Sequence, residues 1–145
     1  MIKEYLVLWS NDELTTLLST IGETRSSNSS VLDILSYLCL YSGSTIEGRI
    51  DAYKTLTGES KKVPVFVSKN EIYFPIYGYR KVNNCWICYN QITKIQKHNN
   101  GVEITFKNEQ SLCFLSSYYV VHQQIKRCKK YLMLLDEFDE FIHGG

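Results

Sequence analysis

The clearest structural signal in the chain is the stretch ITKIQKHNNGVEITFKNEQSLCFL, residues 92–115, because apolar residues recur there in three short runs separated by two tight turns. The turn Asn99-Asn100-Gly101 contains an Asn-Gly step, which accepts the positive φ angles of a tight hairpin. Lys107-Asn108-Glu109 forms the second turn. The pattern therefore predicts successive antiparallel strands. These strands are Ile92–Lys97, Val102–Phe106 and Ser111–Leu115.

A long helix is predicted directly after these strands. Ser116-Ser117 is suited to cap it, and apolar residues then recur at steps of three and four, which defines one buried stripe. The stripe consists of Tyr118, Val121, Ile125, Cys128, Leu132, Leu135 and, if the helix continues, Ile142. The acids Asp136, Glu137, Asp139 and Glu140 occupy the last turns, where the helix dipole disfavours them. Either the helix frays there or the acids pair with upstream lysines.

The residues before the hairpin predict an antiparallel strand pair and two helices. A polar Ser/Asn run, Thr24–Ser30, separates the pair from the first helix and is predicted to be a flexible loop. The serines before Val31 supply a helix cap. The predicted strands are Glu4–Trp9 and Leu14–Ile21, and the predicted helices are Val31–Tyr41 and Ile46–Leu56.

Three further strands are predicted between the helices and the hairpin, at Val63–Val67, Glu71–Phe74 and Trp86–Tyr89. Pro64 suits the start or edge of a strand because it lacks an N–H donor. The expected fold class is therefore α+β. We predict a single domain with an antiparallel β-sheet, an N-terminal helical segment and a long C-terminal helix.

The charge of the chain is sorted by position although the total is only +1. Between residues 61 and 130 there are twelve bases and three acids, a net charge of +9, whereas residues 1–60 and 131–145 each carry −4. A polyanion responds to such a local field more than to the total charge. Nucleic acid is therefore the first partner to consider. The twelve bases are Lys61, Lys62, Lys69, Arg80, Lys81, Lys94, Lys97, Lys107, Lys126, Arg127, Lys129 and Lys130.

Length and composition narrow the class of protein. A chain of 145 residues with 44% hydrophobic residues fits one folded domain. Its apolar runs are far shorter than the roughly 20 residues of a membrane span, and no signal-peptide pattern begins the chain. We expect a cytoplasmic protein without membrane association, with its five cysteines reduced.

The sequence offers little support for catalysis or metal binding. Cys85 and Cys88 have the spacing of a zinc or redox pair, but a second pair and a βαβ context are missing, so we interpret them as buried thiols beside Trp86. His98, His122 and His143 are distant from one another and lack ligand spacing. Neither a phosphate-binding glycine loop nor a nucleophile turn is recognisable. We predict no cofactor, no metal and no enzymatic activity.

A resemblance to a known family rests on the order of short motifs over about a hundred residues. The motifs are Cys39 with Gly43-Ser44 and Gly48-Arg49, Pro64–Val67, Ile72–Pro75, Trp86-Ile87, Val102–Asn108, Ser117-Tyr118 and Gln124–Arg127. In this pattern the chain resembles the bacterial competence transcription factor family, ComK. Residues 31–132 form the family-like core, residues 1–30 a strand-rich lead-in and residues 133–145 an acidic tail, all within one domain.

The resemblance implies a DNA-binding transcription regulator that assembles as a homo-oligomer. It implies contacts to the minor groove of paired A/T-rich boxes in double-stranded DNA, and control by an adaptor that delivers the factor to a Clp-type protease. The sequence leaves activation and repression both open.

Basic residues that suit phosphate or groove contacts are the candidate DNA ligands. Lysines on the predicted helix fall off its buried stripe, lysines beside the hairpin turn are suited to reach a groove, and the loop Tyr77–Lys81 has the aromatic and cationic character of a minor-groove element. Arg49 fits either a phosphate ligand or a structural partner for Asp51 or Glu47. The candidates are Arg49, Lys61, Lys62, Arg80, Lys81, Lys94, Lys97, Lys107, Lys126, Arg127, Lys129 and Lys130.

Two alternatives accompany this hypothesis. Trp86 and Phe74 have the chemistry to stack on bases, but their place in strand patterns favours the core. A run of antiparallel strands finished by a helix also fits a pleckstrin-homology-like protein-interaction module, in which basic core and acidic flanks would drive self-association without DNA.

Overall fold

The computed structural model describes residues 4–11, 13–78 and 83–143. The strands are β1 Tyr5–Asn11, β2 Leu14–Ser19, β3 Thr24–Ser27, β4 Val65–Ser68, β5 Glu71–Pro75, β6 Cys85–Cys88, β7 Ile92–His98, β8 Gly101–Phe106 and β9 Ser111–Phe114. The helices are α1 Val31–Tyr41, α2 Ile46–Thr57 and α3 Tyr118–His143, and Tyr89–Gln91 form a 3-10 turn. The predicted fold class, α+β with two N-terminal helices and a long C-terminal helix, is confirmed.

The strands form two antiparallel sheets. The first sheet has the order β3-β2-β1-β6-β5-β4, and the second has the order β7-β8-β9. Strand β6 lies inside the first sheet and alternates between two cores: Trp86 and Cys88 pack in the core that contains α1, whereas Ile87 and Cys85 pack in the core that contains α3. The first sheet is therefore a middle layer, with α1 on one face and the second sheet and α3 on the other.

Local signals in the sequence explain where α1 and α2 begin and end. The Ser30 hydroxyl accepts a hydrogen bond from the Asp33 N–H and caps α1, and the Thr45 hydroxyl accepts one from the Gly48 N–H and caps α2. Gly58 ends α2 with a φ of 74°, a left-handed conformation that glycine adopts without steric cost. Helix α2 contacts α1, β4 and α3, so it links the two cores.

Helix α3 begins where the serine pair predicted, because the Ser117 hydroxyl accepts a hydrogen bond from the Val120 N–H. Val121 and Cys128 are buried as the apolar stripe requires. Gln124 and Tyr131, which the stripe left out, are also buried, whereas Ile142 is 55% exposed. Of the two alternatives for the last turns, fraying is the wrong one, since the helix continues to His143. One acid of those turns, Asp136, instead meets an upstream lysine, Lys69, at 3.9 Å.

Two local predictions need correction. Thr24–Ser30 is not a flexible loop throughout, because Thr24–Ser27 form β3 at the edge of the first sheet, where backbone hydrogen bonds to β2 hold polar residues in a strand. In the hairpin turn, the positive φ falls on Asn99 (51°), and Gly101 belongs to β8. A β-carbon at position 101 would overlap the carbonyl oxygen of Phe114, so this glycine permits the close approach of β8 and β9.

Candidate nucleic-acid interface

A groove between α3 and the second sheet collects four lysines from three places in the chain. Lys94 comes from β7, Lys107 from the turn after β8, and the other two from α3. We call this set the lysine groove, and it consists of Lys94, Lys107, Lys126 and Lys129. Asn90, Gln91 and His122 add polar groups to its wall, and Glu4 is the carboxylate that lines it among the described residues.

The fold holds these lysines at the groove through apolar contacts beneath them. Ile125 and Leu132 of α3 pack against the core shared with the second sheet and also line the groove. The backbone N–H of Lys107 donates to the carbonyl oxygen of Gln91 at 2.8 Å, which fixes the turn after β8 beside the 3-10 turn. No described carboxylate forms an ion pair with these four lysines; the described ion pairs join Lys69 to Asp136 and Arg127 to Glu59. The four groove lysines therefore keep their charge available to an anion.

The other flank of α3 carries a second basic cluster built around Arg127. We call it the Arg127 pocket, and it consists of Lys54, Glu59, Lys61, Lys62 and Arg127. The Arg127 guanidinium donates to the carbonyl oxygens of Lys61 (2.7 Å) and Lys62 (3.0 Å) and to the Gln124 side chain (2.7 Å). It also donates to the Tyr53 hydroxyl at 3.1 Å, and its charge lies 5.6 Å from the Tyr53 ring centre. Arg127 thus ties α3 to α2 and to the segment before β4.

The electrostatics of the Arg127 pocket favour a charged Glu59. Burial opposes ionisation of this carboxyl, but the hydrogen bond from the Tyr53 hydroxyl and the charges of Arg127 and Lys130 outweigh it, so the pKa of Glu59 lies below its ordinary value. Burial, together with the hydrogen bond to Glu59, raises the pKa of the Tyr53 hydroxyl. The Glu59 carboxylate therefore neutralises part of the positive charge on this flank of α3.

Comparison of the sequence with models of known protein families shows the family to which the chain belongs. A family model described as "ComK protein" matches residues 6–140. The chain belongs to the ComK family. ComK proteins are competence transcription factors, a family of regulators and not of enzymes. No curated protein and no solved structure matches the chain.

Of the twelve predicted DNA-contact residues, four line the lysine groove and three line the Arg127 pocket. Arg80 and Lys81, with Tyr79 of the same loop, lie outside the described residues. Lys97 is exposed on β7, and Lys130 lies near Glu59, whose pKa its charge lowers. At 100° per residue, the four bases of α3 span about 160° of the helix. Lys126 and Lys129 line the lysine groove and Arg127 lines the Arg127 pocket, and contact of all four bases with phosphate stays a prediction.

Arg49 has the surroundings of a packing residue. Its guanidinium carbon lies 5.2 Å from the centre of the Phe66 ring, and its Nε atom is buried without a hydrogen-bond partner. No ion pair to Glu47 or Asp51 is found in the part of the chain that the structure describes. The suggested ion pair of Arg49 with Asp51 or Glu47 is therefore not formed among the described residues. The other suggested role, contact with phosphate, stays a prediction.

Sequence reasoning missed Asn84, a buried residue at the end of the loop that follows β5. Its side-chain oxygen accepts hydrogen bonds from the N–H groups of Tyr77 and Cys85, and its side-chain nitrogen donates to the carbonyl oxygens of Tyr77 and Gly78. Asn84 therefore fixes the two ends of the loop proposed for the minor groove. Its only signal in the sequence is an asparagine directly before a strand, a position typical of turns.

The remaining candidates behave as core residues. Trp86 and Phe74 are 2% and 0% exposed, which confirms their interpretation as core. Cys85 and Cys88 lie on opposite faces of β6, and burial raises the pKa of each thiol to about 12. Their spacing therefore does not place two reactive thiols together. None of the described helices is both long enough and apolar enough to cross a membrane.

Proposed function

We propose that the chain is a DNA-binding competence regulator that holds the phosphates of duplex DNA in the lysine groove. The observation that carries the proposal is the convergence of Lys94, Lys107, Lys126 and Lys129, from β7, the turn after β8 and α3, without an ion pair to any described carboxylate. Family membership supports the same conclusion independently of the groove. As a regulator of bacterial genes it would act in the cytoplasm.

The groove predicts a definite salt dependence. Each phosphate that a lysine neutralises releases counterions, so the logarithm of the binding constant falls with the logarithm of salt concentration by about 0.9 per contact. Four lysines that each contact one phosphate would give a slope of about −3.6. The Arg127 pocket contributes less, since the Arg127 guanidinium already donates to groups of the protein.

Selectivity for A/T-rich sequences is the finer part of the proposal and rests on the family. A/T-rich minor grooves are narrow and attract cationic side chains, whereas their base edges hardly distinguish A·T from T·A. The loop Tyr77–Lys81, which contains Arg80 and Lys81 and precedes Asn84, is the proposed minor-groove element. Assembly as a homo-oligomer on paired boxes and delivery by an adaptor to a Clp-type protease are proposed on the same ground.

The test is a salt titration of binding to two duplexes of equal length, one with A/T-rich boxes and one G/C-rich. We expect tighter binding to the A/T-rich duplex and a slope of about −3 or steeper, because the groove supplies four contacts. Equal affinity for both duplexes would contradict the proposed minor-groove selectivity. No binding at low salt would contradict the phosphate groove and favour a protein-interaction module.

A further inference from the structure

The solvent-facing side of the second sheet brings together three side chains with different donor atoms. In the strand register, Glu103 of β8 lies opposite Cys113 of β9 and Gln96 of β7, and His98 lies two residues beyond Gln96 on the same face. His98 and Cys113 are exposed, and Glu103 is half-buried. A nitrogen of His98, a carboxylate oxygen of Glu103 and the sulfur of Cys113 all lie within 4.8 Å of one another.

These donors are the ones that zinc prefers in proteins. Zn²⁺ binds cysteine sulfur at about 2.3 Å and histidine nitrogen or carboxylate oxygen at about 2.0–2.2 Å, in tetrahedral geometry. Such a site holds its donor atoms about 3.3–3.6 Å apart. The Cys113 sulfur lies 4.0 Å from Oε2 of Glu103, so this pair would close by only about 0.5 Å. We propose that His98, Glu103 and Cys113 form a Zn²⁺ site on the second sheet.

A neighbouring side chain already orients one of the ligands. Nε2 of Gln96 donates a hydrogen bond to Oε1 of Glu103 at 2.7 Å, and Oε2, the oxygen near Cys113, is left to face the metal. Such outer hydrogen bonds fix ligand orientation in zinc sites and are worth about 10- to 100-fold in metal affinity. Three protein ligands leave a fourth position for water, as in zinc sites that remain open.

The other thiols of the chain do not compete for the metal. Burial raises the pKa of Cys39 to about 11 and that of Cys85 and Cys88 to about 12, and it also raises the pKa of Cys128. A metal ligand must be a thiolate, so these four are disfavoured. Cys113 is exposed, and it shares its face with a histidine and a carboxylate from neighbouring strands. These three strands would be cross-linked by the metal.

The full chain, kept reduced, tests the proposal by titration with Co²⁺ as a spectroscopic substitute and with Zn²⁺ in a calorimeter. We expect one metal per chain, a thiolate-to-cobalt charge-transfer band and the intense visible absorption of tetrahedral Co²⁺. Zn²⁺ should also raise the melting temperature, because it binds the folded state preferentially. A Co²⁺ complex without the charge-transfer band would overturn the assignment of Cys113.

Variants separate this site from adventitious binding. Cys113→Ser and His98→Gln should each weaken Zn²⁺ binding by more than about 100-fold, since loss of a ligand exceeds loss of an outer partner. Glu103→Gln should weaken it strongly, whereas Glu109→Gln, an equal charge change on the exposed turn after β8, should leave it unchanged. Wild-type affinity in Cys113→Ser would overturn the proposal. DNA binding is not part of this readout, so the two proposals fail independently.

Discussion

The basic residues on the two flanks of α3 have different roles. On one flank, Lys126 and Lys129 line a groove and have no ion-pair partner among the described residues. On the other, Arg127, one residue along from Lys126, is only 17% exposed and donates to Tyr53, Gln124 and two backbone carbonyls. Of the four bases that form one basic cluster in the sequence, Lys126, Lys129 and Lys130 are therefore exposed surface charges, whereas Arg127 is an internal contact.

The chemistry of the two side chains explains the division. Arginine presents five N–H donors in a planar fork and stays charged when half-buried, whereas lysine carries a compact, strongly hydrated charge on a flexible stem. Arg127 is the residue on the crowded flank, where its fork reaches both α2 and the segment before β4. The lysines on the open flank keep their ammonium groups in water until an anion replaces it. Fold stability and anion binding should therefore respond to different substitutions on one helix.

The largest expected effect comes from Arg127→Ala. The substitution removes one hydrogen bond each from the Lys61 and Lys62 carbonyls, from Glu59 and from the Gln124 side-chain oxygen, so we expect a loss of about 3 kcal/mol in the free energy of unfolding. The melting temperature should fall by about 10 °C. Lys126→Ala, at the neighbouring exposed position, should change stability by less than about 0.5 kcal/mol. Equal losses in the two variants, measured by thermal and urea unfolding, would contradict the division between the flanks.

A smaller loss of stability is expected from Gln124→Leu. Gln124 is 2% exposed, and its Nε2 donates to the carbonyl oxygens of Lys62 (3.0 Å) and Pro75 (2.8 Å) while its oxygen accepts from Arg127. Leucine keeps the volume but removes a donor from the carbonyl oxygens of Pro75 and Lys62 and an acceptor from Arg127, which costs about 2 kcal/mol. Urea unfolding measures the change. DNA affinity at fixed salt should stay within about twofold, because Gln124 lies on the buried side of α3; a large loss would place the DNA on the Arg127 flank.

Much of the fold could be predicted from periodicity and capping alone. The bounds of α1 were predicted without error because a serine cap and a 3.6-residue repeat agree there, and the hairpin of β7 and β8 followed from its turn residues. The prediction of β3 as a loop failed because an edge strand needs only backbone partners, which the preceding strand β2 supplies whatever the side chains of β3 are. The burial of Gln124 and Tyr131 was likewise invisible, since it depends on the carbonyl groups and rings that α3 meets.

The number of basic residues in the candidate site could be predicted from the sequence, but their arrangement on the surface could not. The count of lysines between residues 61 and 130 anticipated a basic region, yet whether Lys129 and Lys130 share a surface depends on how α3 is rotated against the second sheet. The cluster of His98, Glu103 and Cys113 is a stronger example. These residues are separated along the chain, and the register of β7, β8 and β9 alone makes them neighbours.

A comparison of Lys129→Gln with Lys130→Gln tests the groove at equal charge change and adjacent positions. Lys129 lines the groove, whereas Lys130 lies near Glu59 on the other flank. Loss of one phosphate contact should lower affinity for the A/T-rich duplex about fivefold and reduce the salt slope by about 0.9. Lys130→Gln should change the slope by much less. If the two variants lose affinity equally, DNA contacts the exposed surface of α3 that Lys129 and Lys130 share, and not the lysine groove.

The smallest expected effect is a pH dependence on the Arg127 flank. The pKa of Glu59 in the folded protein lies below the ordinary 4.5 because the bond from Tyr53 and the charges of Arg127 and Lys130 outweigh burial. A lowered pKa in the folded state adds stability above the ordinary pKa, and that stability is lost as the pH falls through the folded value. The carboxylate is 44% exposed, so the contribution should be less than about 1 kcal/mol.

Urea unfolding of wild type and Glu59→Gln should therefore differ by a constant amount near neutral pH and converge as the pH falls below 4.5 and through the lowered pKa of Glu59. In an Arg127→Met background the difference should shrink, because the main ionic partner is gone; curves that stay parallel down to low pH would mean that Glu59 is not held charged by this pocket.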